Sequence, residues 1–394
     1  MSNNFLRLLL VGFLVGLAPA NSAIFPGRVF DRFISIWLEN QDFAQVIKDP
    51  DFAILKRYGI LQTRYYANTH PSQPNYLASV AGDHFGLNHD ESVRVPDNVS
   101  TIVDVLETRG ISWAGYYEHM PGPGYLADFS LDANGTWDYV KKHNQRGESP
   151  ATSHFASFDS INKNGTCLAQ LRSFEAFKRD LAAGTVPQYV MMSPDMRNDG
   201  HNTTLEYATK WAREFLLPLL KDDKDKNSLG KERTVIQLTY DEADSYDQPN
   251  RIASLLLGTG VPKSLEGTED ATFYTHYSVL ATAQSNWDLP NLGRYDAAAN
   301  VFQFVADATG HANRDPANLA ALDNSLSYAG FLHNETANQL PVPPPNLKLV
   351  GAGGQGVLPM VQSIWKELAG EKSPYDSSGN VYDGKTVPVY RPQE

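Results

Sequence analysis

Cysteine is nearly absent from this chain. With Cys167 alone among 394 residues, no intrachain disulfide can form, and stability has to come from a packed core. Basic residues are in the minority, and the formal net charge of −12 excludes nucleic acid or an anionic membrane as a bulk partner. After residue 23 there is no apolar run long enough to cross a bilayer, and the terminal YRPQE is not the hydrophobic tail of a lipid anchor, so no stable membrane anchor is expected. Several catalytic signatures are missing as well: no G-x-S-x-G elbow, no H-E-x-x-H, no Walker A pattern and no Arg-His-Gly. One match to G-x-G-x-x-G, Gly351 to Gly356, lies too near the C-terminus to open a nucleotide-binding βαβ unit.

What is present describes an ordinary globular chain, 42% hydrophobic and 20% charged. Residues 1–23 read as a secretory signal: Arg7, then the apolar run Leu8–Leu17, then small residues with cleavage points after Ala20 or Ala23. Five Asn-x-Ser/Thr sites, at Asn98, Asn134, Asn164, Asn202 and Asn334, fit a secreted, extracellular product carrying N-glycans.

Strand and helix signals then alternate. Strands are expected over 32–38, 60–67, 112–116, 188–193, 234–240 and 252–258. Helices are expected over 42–58 (interrupted by Pro50), 74–81, 101–108 capped by Ser100, 173–181, 203–220, 277–287, 297–308 and 358–368. This alternation predicts an α/β fold, a three-layer α/β/α sandwich around a mostly parallel sheet. Residues 24–340 form the catalytic domain, with a Gly-, Asn- and aromatic-rich insertion at 118–166, and residues 341–394 form a C-terminal tail packed on it.

Polar chemistry collects where strands end. The acids Asp241 and Glu242 follow the strand 234–240, Glu39 and Asn40 follow 32–38, and Ser72 and Asn75 follow 60–67. His201 follows the strand 188–193, and His276 opens the helix 277–287. In open α/β sheets the ligand crevice lies beyond the carboxyl ends of the strands. Oxygen-rich ligands with a few imidazoles suit a hard or borderline divalent metal, and a Ser at a helix start beside it suits a nucleophile. Taken singly, each residue also fits a plainer role, as a cap, a turn or a solvated loop. His70, two residues before Ser72, is retained as a third imidazole of interest.

The segments WLENQ (37–41), THPSQPNYLASVAG (69–82), DMRNDGHN (195–202), TYDEADSYD (239–247) and THYSVLATAQSNWDLPNLG (275–293) resemble, in order, the motif blocks of the phosphoesterase family. That family, within the alkaline phosphatase-like superfamily, contains secreted acid phosphatases and non-specific phospholipases C. The likeness is strongest to the secreted fungal acid phosphatases. It implies hydrolysis of small phosphate monoesters through a Ser72 phosphoenzyme with help from a divalent metal. By position it implies Glu39, Asn40, Asp241 and Glu242 as metal ligands, and Asn40 and Asn75 as phosphoryl-binding groups. Ser72, His201, His276 and His70 become the catalytic set, with a protonated His276 or His70 delivering a proton to the leaving group. Ala243-Asp244-Ser245 stands where the phospholipase pattern has Gly-Gly, which favours small esters. A phosphodiesterase or phospholipase C-type enzyme and a non-catalytic secreted glycoprotein remain as alternatives.

Overall fold

The computed structural model describes residues 24–126, 154–220, 229, 232–322 and 327–380. The signal segment and Asn134 lie outside them. Eight strands form one sheet: β1 (Arg32–Leu38), β2 (Gly59–Tyr66), β3 (Trp113–Tyr117), β4 (Leu171–Ser173), β5 (Tyr189–Ser193), β6 (Thr234–Tyr240), β7 (Arg251–Leu257) and β8 (Thr268–Thr275). Their order is β4-β3-β5-β1-β6-β7-β2-β8. All neighbours pair in parallel except β7, which runs antiparallel to both β6 and β2. The carboxyl ends of the other seven strands therefore share one edge, and that edge positions the site.

Every residue of β1, β5 and β6 is buried. Successive side chains of a strand point to opposite faces, so both faces of the central sheet are covered, as a three-layer α/β/α sandwich requires. The helix Pro50–Lys56 packs against Leu205–Leu219, and Tyr277–Trp287 packs against Ser72–Ala81 and Gln303–Thr309. Two of these helices are buried all round, Ser72–Ala81 and Tyr277–Trp287. That explains their weak amphipathic pattern, since a helix covered on every side needs no polar stripe.

Several sequence expectations are corrected. The segment 42–58, expected to be interrupted at Pro50, is two shorter helices, Phe43–Val46 and Pro50–Lys56. Pro50 takes the first position of the second one, while Asp49 caps it by accepting from the Asp51 and Phe52 N–H groups, both at 2.9 Å. The cap before Ile102–Glu107 is Thr101 rather than Ser100, because Asp104 reaches back to the Thr101 N–H at 2.7 Å and closes a capping box. β8 was missed because Thr268–Thr272 of this edge strand is mostly polar and incompletely buried, leaving only Phe273–Thr275 in the core. Helix 297–308 shortens to Gln303–Thr309, and 358–368 to Pro359–Ile364 plus a 3-10 turn.

Only part of the 118–166 insertion is described. Within that part, Phe155 and Phe158 join the main core and His154 is fully buried against Trp37 and Tyr76. From the C-terminal segment, Tyr375 reaches into the interior, where its hydroxyl meets Arg294 at 2.8 Å and Asp83. No helix among the described residues is long and apolar enough to cross a membrane.

Candidate active site

Six adjacent residues of the site come from three neighbouring chain turns. Asn40, directly after β1, adopts a left-handed φ of 45°, a conformation Asn tolerates better than most residues. That turn lets its backbone N–H donate to Asp241 Oδ1 at 3.0 Å and its side-chain amide donate to Glu242 Oε1 at 3.3 Å. β1 and β6 are in register from Arg32–Thr234 to Leu38–Tyr240, so Glu39-Asn40 and Asp241-Glu242 necessarily arrive side by side.

Ser72 is the first residue of its helix and is buried. Its hydroxyl donates to Glu242 Oε1 at 2.9 Å and lies 3.4 Å from Asn40 Oδ1. Glu242 Oε2 meets His70 Nδ1 at 2.5 Å. One carboxylate thus joins the serine to the imidazole. Burial lowers His70 to about 4, while Asp42 and Asp244 pull it back up. The exposed Tyr246 ring stacks on His70 with centroids 3.9 Å apart.

The acids fit a cation. Glu39, Asp241 and Glu242 are all buried, and Asp241 Oδ2 has no hydrogen-bond partner. Burial, and then the charges of Glu39 and Glu242, raise the Asp241 carboxyl well above the usual carboxylate range. Three carboxylates held together out of water with an unused oxygen are an expensive arrangement, and a divalent ion relieves both the repulsion and the orphaned atom.

His276 occupies the cap position of Tyr277–Trp287 and is fully buried. Its ring stacks on Trp37 at 4.4 Å, and its Nε2 lies 2.7 Å from the Asp241 carbonyl oxygen. A carbonyl can only accept, so Nε2 carries the hydrogen and Nδ1 is the free lone pair, buried and without a partner. Burial depresses the ring to about 3, with the Asp241 carbonyl acting weakly the other way. The expectation of a protonated His276 is therefore corrected: this imidazole is neutral.

Asn75 is a second correction. Its Oδ1 accepts from the Asn68 and Thr69 N–H groups at 2.8 and 3.3 Å, and its Nδ2 donates to the Thr69 and Pro71 carbonyls at 2.8 and 3.2 Å. Both ends of the amide are committed to the loop that carries His70 and Ser72, so Asn75 shapes the site from beneath. His201 is half-buried on the loop after β5, and its Nδ1 meets Asn202 Oδ1 at 3.1 Å. That loop is tied to the site through the Glu39 N–H, which donates to the Asp199 carbonyl at 3.0 Å.

Sequence reasoning missed three neighbours of these residues. Tyr76 donates to Glu39 Oε1 at 2.9 Å, and its place one helical turn after Ser72 was the available signal. Trp37 precedes Glu39 by two and lies on the same side of the strand. His154, T-stacked on Trp37 and Tyr76, carries no local motif at all.

The model of the phosphoesterase family matches residues 50–290. The chain belongs to the phosphoesterase family. It is 41% identical over 342 residues to a probable acid phosphatase of Kluyveromyces lactis, covering 86% of this chain and 77% of that protein. It is 39% identical over 362 residues to an acid phosphatase of Aspergillus fumigatus, covering 90% and 78%. Among solved structures, a putative sulfatase from Bacteroides thetaiotaomicron is similar over 72% of this chain and 75% of its own, with a TM-score of 0.46 and 11% identity. The family model ends near residue 290, so it takes in Ser72, Asp241, Glu242 and His276, whereas Glu39 and Asn40 precede it.

Proposed function

We propose that this phosphoesterase is an acid phosphatase that hydrolyses small phosphate monoesters through a phosphoserine at Ser72. The observation that carries the reading is the hydroxyl of Ser72, at a buried helix start, donating to Glu242 at 2.9 Å beside a second and third carboxylate. A lone buried serine would not need such a base. The names of the fungal relatives support the reaction class.

In the first step Ser72 Oγ passes its proton to Glu242 and forms a bond to phosphorus, while the bond from phosphorus to the leaving oxygen breaks. The proton returns from the Glu242–His70 pair to the leaving alkoxide, so the pair ends the step as it began. In the second step water attacks the phosphoserine, the serine oxygen leaves and takes a proton from that water, and inorganic phosphate departs. Asn40 holds Glu242 and Ser72 in register, and the neutral His276 offers a lone pair rather than a proton. Glu39, Asp241 and Asn40 Oδ1, with Glu242 as the third carboxylate beside them, would hold a divalent cation, which when bound supplies Lewis-acid polarisation of phosphoryl oxygen. His201 would line the phosphoryl side of the site from its loop.

We infer further that the protein is exported and glycosylated. The apolar segment 8–17 behind Arg7 supports export, and the exposure of Asn164, Asn202 and Asn334 supports glycans at those sequons, while Asn98 is half-buried. Glycosidase treatment of the protein secreted by its host, followed by peptide mapping, tests this. Release of phosphate from monoesters but not from bis(p-nitrophenyl) phosphate or a choline phospholipid tests the substrate class; preference for the diesters would contradict it.

A further inference from the structure

A second group of side chains, sharing no residue with the Ser72 site, has the composition of a metal site. β3 and β5 are parallel neighbours, paired from Trp113–Tyr189 to Tyr117–Ser193. Glu118 and His119 follow the first and Asp195 the second, so the pairing delivers all three to one edge. His119 Nε2 lies 3.2 Å from Asp195 Oδ2 and 3.9 Å from Glu118 Oε1. One ligand atom from each residue lies within 4.8 Å of the other two.

The two carboxylates are oriented from behind. Glu118 Oε2 accepts from the Asp195 N–H at 3.0 Å and from Asn198 Nδ2 at 2.8 Å. Asp195 Oδ1 accepts from the Arg197 and Asn198 N–H groups, both at 2.9 Å. Each acid therefore has one oxygen held by the loop, while the other turns toward the imidazole. Outer hydrogen bonds of this kind fix the ligands of a metal site. The carboxylates are 14% and 7% exposed and the imidazole 36%, which leaves a mouth through which an ion can enter.

We propose that Glu118, His119 and Asp195 bind a divalent cation, separate from the ion expected at Glu39 and Asp241. One imidazole with two carboxylates suits a borderline ion of the Zn²⁺ type, whose bonds of about 2.0–2.2 Å need only a small closing of this triangle. The ion would clamp the loop 195–202 to the end of β3. That loop already holds itself through Asp199 N–H to Asp195 O at 2.9 Å, and it carries His201.

The competing explanation is a plain ion pair between an imidazolium and two acids. The two differ in what they retain: a metal site holds an ion through dialysis that depends on all three side chains, whereas an ion pair holds none. The test is equilibrium dialysis of the full-length protein against Zn²⁺, with metal analysis, for wild type, His119→Ala, Glu118→Gln and Asp241→Asn. Wild type is expected to hold one more ion per chain than His119→Ala. Asp241→Asn should keep the His119-dependent ion while losing the other, so the two sites fail separately. Hydrogen exchange of residues 195–202 should slow on adding Zn²⁺ in wild type and stay unchanged in His119→Ala. Equal Zn²⁺ stoichiometry in wild type, His119→Ala and Glu118→Gln overturns the site, and binding without protection of the loop overturns the clamp. His119 is part-exposed, so His119→Ala should fold even if Glu118→Gln does not.

Discussion

His276 is the residue whose chemistry the structure changes most. The family resemblance implies a general acid there, yet its Nε2–H is spent on the Asp241 carbonyl and burial holds the ring near a pKa of about 3. A neutral ring has no proton to give at the working pH. His276→Ala should therefore cut hydrolysis of glycerol phosphate and of p-nitrophenyl phosphate to a similar degree, despite the different need of their leaving groups for a proton. A loss confined to glycerol phosphate would restore it as the acid. The same contrast assigns the proton source: Glu242→Gln should lower turnover of the alkyl ester by roughly 10²–10⁴-fold, the usual scale of proton-transfer catalysis.

Asp241 makes a complementary case. Its Oδ2 is buried without a partner, and its carboxyl is pushed up by burial and by two neighbouring acids. Asp241→Asn relieves that repulsion, so the variant should melt at the same temperature as the metal-stripped wild type or above it. It should nonetheless bind divalent metal more weakly and lose activity, with partial rescue by excess metal. Metal content and activity equal to wild type would reduce the acid-tipped end of β6 to a solvated turn.

Among elements, the loop between β2 and the helix Ser72–Ala81 matters most. Asn75 grips four backbone groups of that loop from within the helix. Asn75→Asp keeps the acceptor but removes both donors: the Pro71 carbonyl loses its 3.2 Å partner and the Thr69 carbonyl keeps only Asn250 Nδ2 at 3.0 Å, at about 1 kcal/mol for each bond lost. Thermal melting should drop by several degrees and kcat should fall, with KM changed little; a raised KM with an unchanged melting curve would return Asn75 to phosphoryl binding.

This loop also shows where sequence reading works and where it stops. Ser72, Glu39-Asn40 and Asp241-Glu242 were legible because they follow apolar strands whose parallel pairing forces their ends together. The role of Asn75 was not, since an amide facing phosphate and one facing its own backbone look identical in sequence. β8 was hidden by the mostly polar, incompletely buried run Thr268–Thr272 that opens it, whereas the break at Pro50 between Phe43–Val46 and Pro50–Lys56 was legible from the proline itself. His154 was beyond reach, because only the folded chain brings the insertion onto Trp37.

Across the whole molecule, buried neutral histidines set the acid limit of stability. Burial lowers His84 from 6.5 to about 4, partly offset by Asp83, and lowers His154 well below its ordinary value. Between those values the unfolded chain takes up protons that the native chain refuses, so this stability is complete above about pH 6.5 and is lost as pH falls toward 4. The stability gap between wild type and His84→Gln should shrink by about 2–3 kcal/mol from pH 7 to 4.5. Denaturant unfolding at the two pH values measures it, and a gap independent of pH would mean that His84 is protonated in the native state. Asp296 opposes the trend, since burial raises its carboxyl and favours the native state in acid.

The central claim is that Ser72 carries the phosphoryl group during turnover. Rapid acid quenching of the enzyme with a ³²P-labelled monoester should leave label on a single peptide containing Ser72, at a stoichiometry approaching one per active chain. Ser72→Ala should fold, carry no label and lose at least about 10³-fold in turnover, as removal of a nucleophile does elsewhere. Label on another residue, or a Ser72→Ala protein that still turns over at a substantial fraction of the wild-type rate, would contradict the account.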